Sequence, residues 1–404
     1  MASLRIVRAL CGALLPLACA LGGSLSAQDR WLGGKPDSLF TIGASEADER
    51  EMLSNVRQVA FDSRDNLYVL DAGNFRVLVF DASGRFVRQI GARGEGPGEF
   101  LQPIGLAVTV DDLLVVADAQ RGGDTVFDAV GKPVRTLRWD PEAGYPAWGS
   151  EDATEVTLLP HPRGGVVMRL NAAKARPTPT GRIEAPGTAT SPLVRYGTDG
   201  STERLFEIPQ PHPYPTWLSP SYVAFTAFVP PTLWGVLPGG EVVAAWNAGY
   251  RIAVASGPRA VGGFIERPLP PRPVGRTDRA AARERIRAEM DRAAVLGRTK
   301  PGWDATVRPR IEQAIADMTF MDVVPVLERL YTDPSGRLWV QRSSENGEEP
   351  GVIDLLAADG AYLGSLQGQK FPDAVSAGGR AAYVTRDSLD VQRVVVAKLP
   401  ATWR

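Results

Sequence analysis

Thiols and imidazoles are almost missing from this chain: of 404 residues, only Cys11 and Cys19 are cysteine and only His161 and His212 are histidine. Both cysteines fall within residues 1–27, where Arg5 and Arg8 precede an uncharged run over 9–21 and Leu25-Ser26-Ala27 supplies small residues for cleavage, the layout of a secretory signal peptide. The remainder, 28–404, then holds no thiol, which excludes disulfides, a cysteine nucleophile and cysteine-ligated zinc. Two histidines cannot make a three-histidine zinc site, and there is no Gly-x-Ser-x-Gly elbow for a serine hydrolase. The uncharged run is too short for a comfortable membrane span, and net charge is close to zero, at −1. The alternative to cleavage after Ala27 is lipid attachment at Cys19, which would tether the chain to a membrane.

What the chain has instead is repetition. Residues 56–91 hold four short apolar-rich runs separated by turn-forming residues at 63–66, 72–74 and 82–84, the pattern of a four-stranded antiparallel meander. Asp71, Phe80, Asp81 and Gly84 map onto Asp118, Phe127, Asp128 and Gly131 by one shift, 118 − 71 = 47. Repeats of this length signal a propeller or a solenoid. Further copies follow, looser over 165–208, then over 232–267 and clearly again over 333–363, and three last runs lie at 374–376, 381–385 and 392–399. That last set lacks a fourth strand, and 38–43 is a strand without a blade, so the two are expected to pair, with Leu39, Phe40 and Ile42 buried in the seam. The fold expected is an all-β, six-bladed β-propeller spanning 28–404 as one domain and closed by an N-terminal strand.

The segments Asp65-Asn66-Leu67-Tyr68-Val69, Asp71-Ala72-Gly73-Asn74-Phe75-Arg76-Val77 and the glycine-rich 91–105 resemble the NHL repeat of six-bladed propellers. The resemblance covers about 56–137, with Phe75 standing where that repeat usually has His and Gly123 at the position of Arg76. Lyases built on NHL-type propellers lean on histidine for their metal sites, and this chain is nearly without it. Some NHL propellers bind RNA through a basic face, and 267–310 is rich in arginine. An exported protein rarely meets nucleic acid, so that segment reads as a solvated helix face or as a contact for an anionic envelope component.

Two helical stretches interrupt the repeats between blades 4 and 5, an insertion over about 275–320. Ala282, Ile286, Met290 and Ala294 recur every four residues in the first, with Asp278 as its cap; Val307, Ile311, Ala314, Ile315 and Met318 form a stripe in the second. All the long insertions, at 139–153, 171–192, 209–231, 268–325 and 343–351, fall in connections on one side of the blades. Long loops on a rigid scaffold are where function usually sits. That face is the expected site, with Trp148, Tyr214, Trp217, Tyr222, Arg251, Asn55 and Glu328 as candidate ligand-contacting residues. The loop aromatics, Trp139, Phe225 and Phe228 among them, read more simply as packing beneath the helices, since such rings are more often core.

The expected function is binding: a ligand or partner in the cell envelope, whether protein, peptide or small molecule, engaged without a bound cofactor or catalysis. Calcium is the one metal the residue inventory leaves open, since it needs only oxygen ligands, and the alternative is a calcium-dependent lactonase- or esterase-like hydrolase at the channel mouth. Asn55, Glu155, Glu328 and Asp373 would have to converge for that. The recurring Asp71, Asp118, Arg76, Arg251 and Arg393 read as hydrogen-bonded pins at blade corners.

Overall fold

Blade 1 consists of Val56–Phe61, Leu67–Asp71, Arg76–Phe80 and Phe86–Ile90, hydrogen-bonded in that order as an antiparallel sheet. The computed structural model describes residues 28–43, 52–139, 157–171, 190–209, 225–295, 308–344, 350–388 and 390–404. It also places short strand pieces at Tyr145–Pro146, Arg176–Pro177, Ile183–Glu184, Trp217–Ser219 and Tyr222–Val223.

Five further sheets repeat the meander. Blade 2 is Pro103–Val108, Leu114–Asp118, Gly123–Phe127 and Pro133–Arg138; blade 3 is Leu158–Pro160, Val166–Asn171, Thr190–Tyr196 and Thr202–Pro209. Blade 4 is Leu233–Val236, Val242–Ala245, Arg251–Gly257 and Ala260–Glu266; blade 5 is Leu327–Thr332, Leu338–Arg342, Ile353–Leu356 and Tyr362–Leu366. Blade 6 combines Ala374–Val375, Arg380–Arg386 and Gln392–Lys398 with Asp37–Ile42 from the other end of the chain, so the ring closes as the orphan strand implied.

In blade 1 the middle strands Leu67–Asp71 and Arg76–Phe80 are buried throughout, whereas the outer strand Phe86–Ile90 is largely exposed. Alternate residues serve opposite neighbours. Leu67 and Val69 join the core shared with blade 6, and Tyr68 and Leu70 the core shared with blade 2. Six such inter-blade cores run around the ring, which is why both faces of each sheet must be apolar. In the closing strand, Ile42 is buried and Phe40 half-buried, but Leu39 is 45% exposed: the strand is an outer one, and Leu39 points away from the seam expected to bury it.

The first strands of the blades surround the axis, and their inner edges have no sheet neighbour. Side chains from adjacent blades satisfy that edge. Gln58 accepts from the Leu106 amide (3.1 Å) and donates to the Leu158 carbonyl (3.0 Å), linking blades 1, 2 and 3. Thr332 Oγ1 accepts from the Val236 amide (3.1 Å), Tyr331 Oη from the Val375 amide (3.1 Å), and Gln392 Oε1 from the Val56 amide (2.6 Å).

The insertion between blades 4 and 5 carries α1 (Arg276–Val295) and α2 (Arg308–Ala316). Met290, Ile311 and Ile315 bury against one another with Ile286 and Phe225. Asp278 is not the cap residue: α1 starts two residues earlier, and the Asp278 carboxylate reaches back to accept from the Gly275 amide (2.8 Å) and from Arg272 (2.7 Å). Among the described residues, no helix is long and apolar enough to cross a membrane.

Candidate functional site

The two ends of the ring are built differently. At one end the turns are tight, and an aspartate side chain closes them by accepting the amide two residues on: Asp62 from Arg64, Asp81 from Ser83, Asp128 from Val130, Asp199 from Ser201, Asp333 from Ser335 and Asp359 from Ala361, all at 2.8–3.0 Å. The glycines that follow, such as Gly84 at φ +84° and Gly336 at φ +86°, adopt the left-handed conformation these turns demand. At the other end lie the long connections and the helical insertion, around the mouth of the axial channel where the first strands begin.

The mouth is polar. Arg57 is half-buried and Glu328 exposed at the starts of the first strands of blades 1 and 5. Arg329 donates to Asp373 Oδ1 (3.3 Å) while its guanidinium lies 4.5 Å from the centre of the Phe371 ring. Asp373 Oδ2 accepts from the Val384 amide (2.7 Å), which fixes the carboxylate for Arg329. Among the described residues, no three His, Cys, Asp or Glu side chains gather closely enough to hold a metal ion.

The sequence-derived candidates disperse over this face. Asn55 is held by its backbone, its amide donating to Asp71 Oδ1 (3.2 Å) and its carbonyl accepting from Ala72 (2.9 Å). Arg251 opens the third strand of blade 4, away from the axis, where it pairs with Glu266 (2.7 Å) and stacks 3.6 Å from the Phe264 ring centre. It therefore does not pin a corner as its position in the repeat suggested. Trp148 and Tyr214 lie outside the described residues. Trp217 and Tyr222 belong to a small two-stranded ladder with Trp217 opposite Val223, and Tyr222–Val223 lies against α2; their side chains are outside the description. Phe225 packs into the helical cluster, Phe228 meets Phe320 at 6.4 Å, and Trp139 is buried between blades 2 and 3. Trp139 serves as core, while Phe225 and Phe228 are half-buried.

Asp71 and Asp118 do act as corner pins. Fully buried, Asp71 accepts from the Ser54 and Asn55 amides, Asn74 and Arg76 Nε (3.0 Å), and Asp118 accepts from the amides of Leu101, Gln102, Gln120 and Arg121. Arg393 reaches Asp387 (2.9 Å) across a blade 6 corner. Within the arginine-rich insertion, Arg272 pairs with Asp278, Arg287 with Glu312 (3.2 Å) and Arg308 with Asp291 (2.7 Å). His161 is fully buried: its Nδ1 accepts from the Arg163 amide (3.1 Å), so Nε2 carries the hydrogen toward the Gly240 carbonyl (3.3 Å), and burial holds its pKa below the usual value. It fastens the blade 3 turn to the blade 4 turn.

A closed ring of six four-stranded meanders around a channel defines a six-bladed β-propeller. The family DUF5128, described as a 6-bladed beta-propeller, matches residues 46–145. No curated protein matches the chain. Among solved structures, a member of the DUF4221 family from Bacteroides vulgatus is similar at TM-score 0.47 and 10% identity, covering 90% of this chain and 98% of that one. A Bacteroides fragilis protein described as exported gives 0.45 and 11%, covering 88% and 93%. A gluconolactonase from Xanthomonas campestris gives 0.42 and 14%, covering 91% and 95%.

Proposed function

We propose that this chain is an exported, NHL-like propeller that works as a binding module, taking a protein, peptide or small-molecule ligand of the cell envelope on the face that carries the long connections. One observation carries the reading: the two ends of the ring are unequal. The aspartate turns close one end with their hydrogen-bonding groups spent within the turn. The other end concentrates the added chain around a mouth lined by Arg57, Glu328, Arg329 and Asp373. A rigid ring with charged groups fixed at its mouth presents them to a ligand at little ordering cost.

The test is capture. Immobilised protein is exposed to solubilised envelope extract beside an Arg57→Glu/Arg329→Glu double variant that is folded by circular dichroism. The reading expects ligands retained by the wild type and lost by the variant; identical retention by both, or none by either, overturns it. Elemental analysis addresses the alternative: calcium bound in stoichiometric amount, with lactonase or esterase turnover, would replace binding by hydrolysis.

A further inference from the structure

Residues 29–34 run along the outer strand of blade 5. The Leu32 amide donates to the Ser365 carbonyl (2.9 Å) and the Ser365 amide to the Arg30 carbonyl (2.8 Å), a parallel bridge that extends the sheet edge. The Arg30 amide donates to Tyr362 Oη (3.0 Å), and the Gly33 carbonyl accepts from Thr402 Oγ1 and Trp403 Nε1 (3.0 Å each). Leu32 packs into the core between blades 5 and 6. A Cβ at residue 364 would stand 2.5 Å from Leu32 Cγ and 2.8 Å from the Arg30 carbonyl oxygen, so glycine there lets the segment approach.

Asp29 enters a charged pocket between blades 4 and 5. Arg342 donates to it from Nη2 (2.6 Å) and Nη1 (3.0 Å), and Arg267 from Nη2 (3.0 Å). The other edges of both guanidiniums hold Asp354, at 2.7 Å from Arg267 Nη1 and at 2.6 and 2.9 Å from Arg342 Nη2 and Nε. Arg267 also lies 3.9 Å from the Tyr362 ring centre. The Asp354 side chain is fully buried and that of Arg267 is 5% exposed. Burial pushes the Asp29 carboxyl up, but the hydrogen bonds from Arg342 and Arg267 outweigh it and hold its pKa below the ordinary range. Two guanidiniums face one carboxylate without Asp29, an uncompensated buried charge.

Every part of this pocket except Asp29 belongs to blades 4 and 5. We infer that the edge of blade 5, with Arg267 and Arg342, is a groove for an extended peptide carrying a carboxylate three residues before a leucine-sized side chain, and that residues 29–34 fill it in cis. Edge pairing supplies backbone hydrogen bonds, the paired arginines recognise the carboxylate, and the blade 5–6 core takes the apolar side chain. A tethered occupant faces the groove at high effective concentration, so a peptide in trans enters only when the strap is weakened.

The experiment uses the full chain. Asp29→Ala empties the carboxylate seat and should lower Tm by about 5 °C; added acetate, but not chloride at equal ionic strength, should restore part of that loss and leave the wild type unchanged. A labelled synthetic peptide of residues 28–34 should bind an Asp29→Ala/Leu32→Ala variant at least ~10-fold more tightly than the wild type, and the same peptide with Asp29→Asn should lose most of that gain. If the double variant does not fold, the peptide is titrated into Asp29→Ala alone. Absence of both acetate rescue and peptide binding in folded Asp29→Ala overturns the groove, whatever the outcome at the channel mouth.

Discussion

Trp139 Nε1 donates to Asp124 Oδ1 across 2.9 Å, inside the core that blades 2 and 3 share. The carboxyl is fully buried, and Oδ2 has no hydrogen-bond partner among the described residues. The repeat shift puts it opposite Val77 of blade 1, since 77 + 47 = 124, so an acid occupies an apolar position. Burial raises its pKa to about 7 from 3.8, against the opposing hydrogen bond of Trp139. Between those values the folded chain keeps a proton that the unfolded chain has released, so stability falls as pH rises from about 4 to about 7 and then levels. About three units correspond to a loss of roughly 4 kcal/mol as an upper bound. Asp124→Asn keeps an acceptor for Trp139 and cannot ionise. It should flatten this slope in urea unfolding between about pH 4 and about pH 7; an unchanged slope would mean that the acid is solvated.

Ring closure can be measured at two residues of one strand. Ile42 is 3% exposed and sits in the core between blades 6 and 1, whereas Leu39 is 45% exposed. Ile42→Ala should cost about 2–4 kcal/mol, from lost burial plus the cavity. Leu39→Ala should cost under about 1 kcal/mol. Equal losses in denaturant titrations would show that the seam is not where blade 6 is held.

The ring was readable because its signals are local. An aspartate and a glycine bracket tight turns such as 81–84 and 333–336, the middle strands are rich in apolar residues, and 38–43 had no partner except the last three runs. The helical stripes were readable for the same reason, and Ile311 and Ile315 are buried as their spacing implied. The charged pocket was not readable. Asp29, Arg267, Arg342 and Asp354 come from the leader, the end of blade 4 and two strands of blade 5, and no periodicity links them. His161 likewise gave no sign of burial, because its cover is the Gly240 turn of the next blade. At the mouth, Glu328 and Asp373 were recognisable as acids near strand starts, but the Arg329 that pairs with Asp373 sits one blade away.

The aspartate turns are not equivalent in energy. Asp333 is 5% exposed and accepts from the Ser335 and Arg337 amides, Ser335 Oγ and Trp339 Nε1 (3.1 Å), while Asp359 accepts from the exposed Ala361 amide. Asp333→Ala strands the buried indole N–H and opens the turn, so a loss of about 2–4 kcal/mol is expected. Asp359→Ala should lose much less in the same unfolding assay. Matching losses would place the energy in the turn backbone instead of the carboxylate.

Gln58 joins three blades at the axis, and its amide meets two backbone groups that have no sheet partner: the Leu106 N–H on one side and the Leu158 C=O on the other. Gln58→Leu keeps the size of the side chain and abandons both. Each stranded group costs about 1–3 kcal/mol where water cannot replace the amide, for a total of about 2–6 kcal/mol. Gln58→Glu still accepts from Leu106 but, as a carboxylate, cannot donate to the Leu158 carbonyl, so its loss should be intermediate and should shrink in acid, where the protonated group can donate. Hydrogen exchange separates this from general destabilisation. The Leu106 amide should exchange faster in Gln58→Leu than in Gln58→Glu, because only the latter keeps its acceptor, while amides in the middle strand of blade 5 should change no more than the global stability requires. Equal protection of Leu106 in both variants would show that the channel edge is satisfied without Gln58.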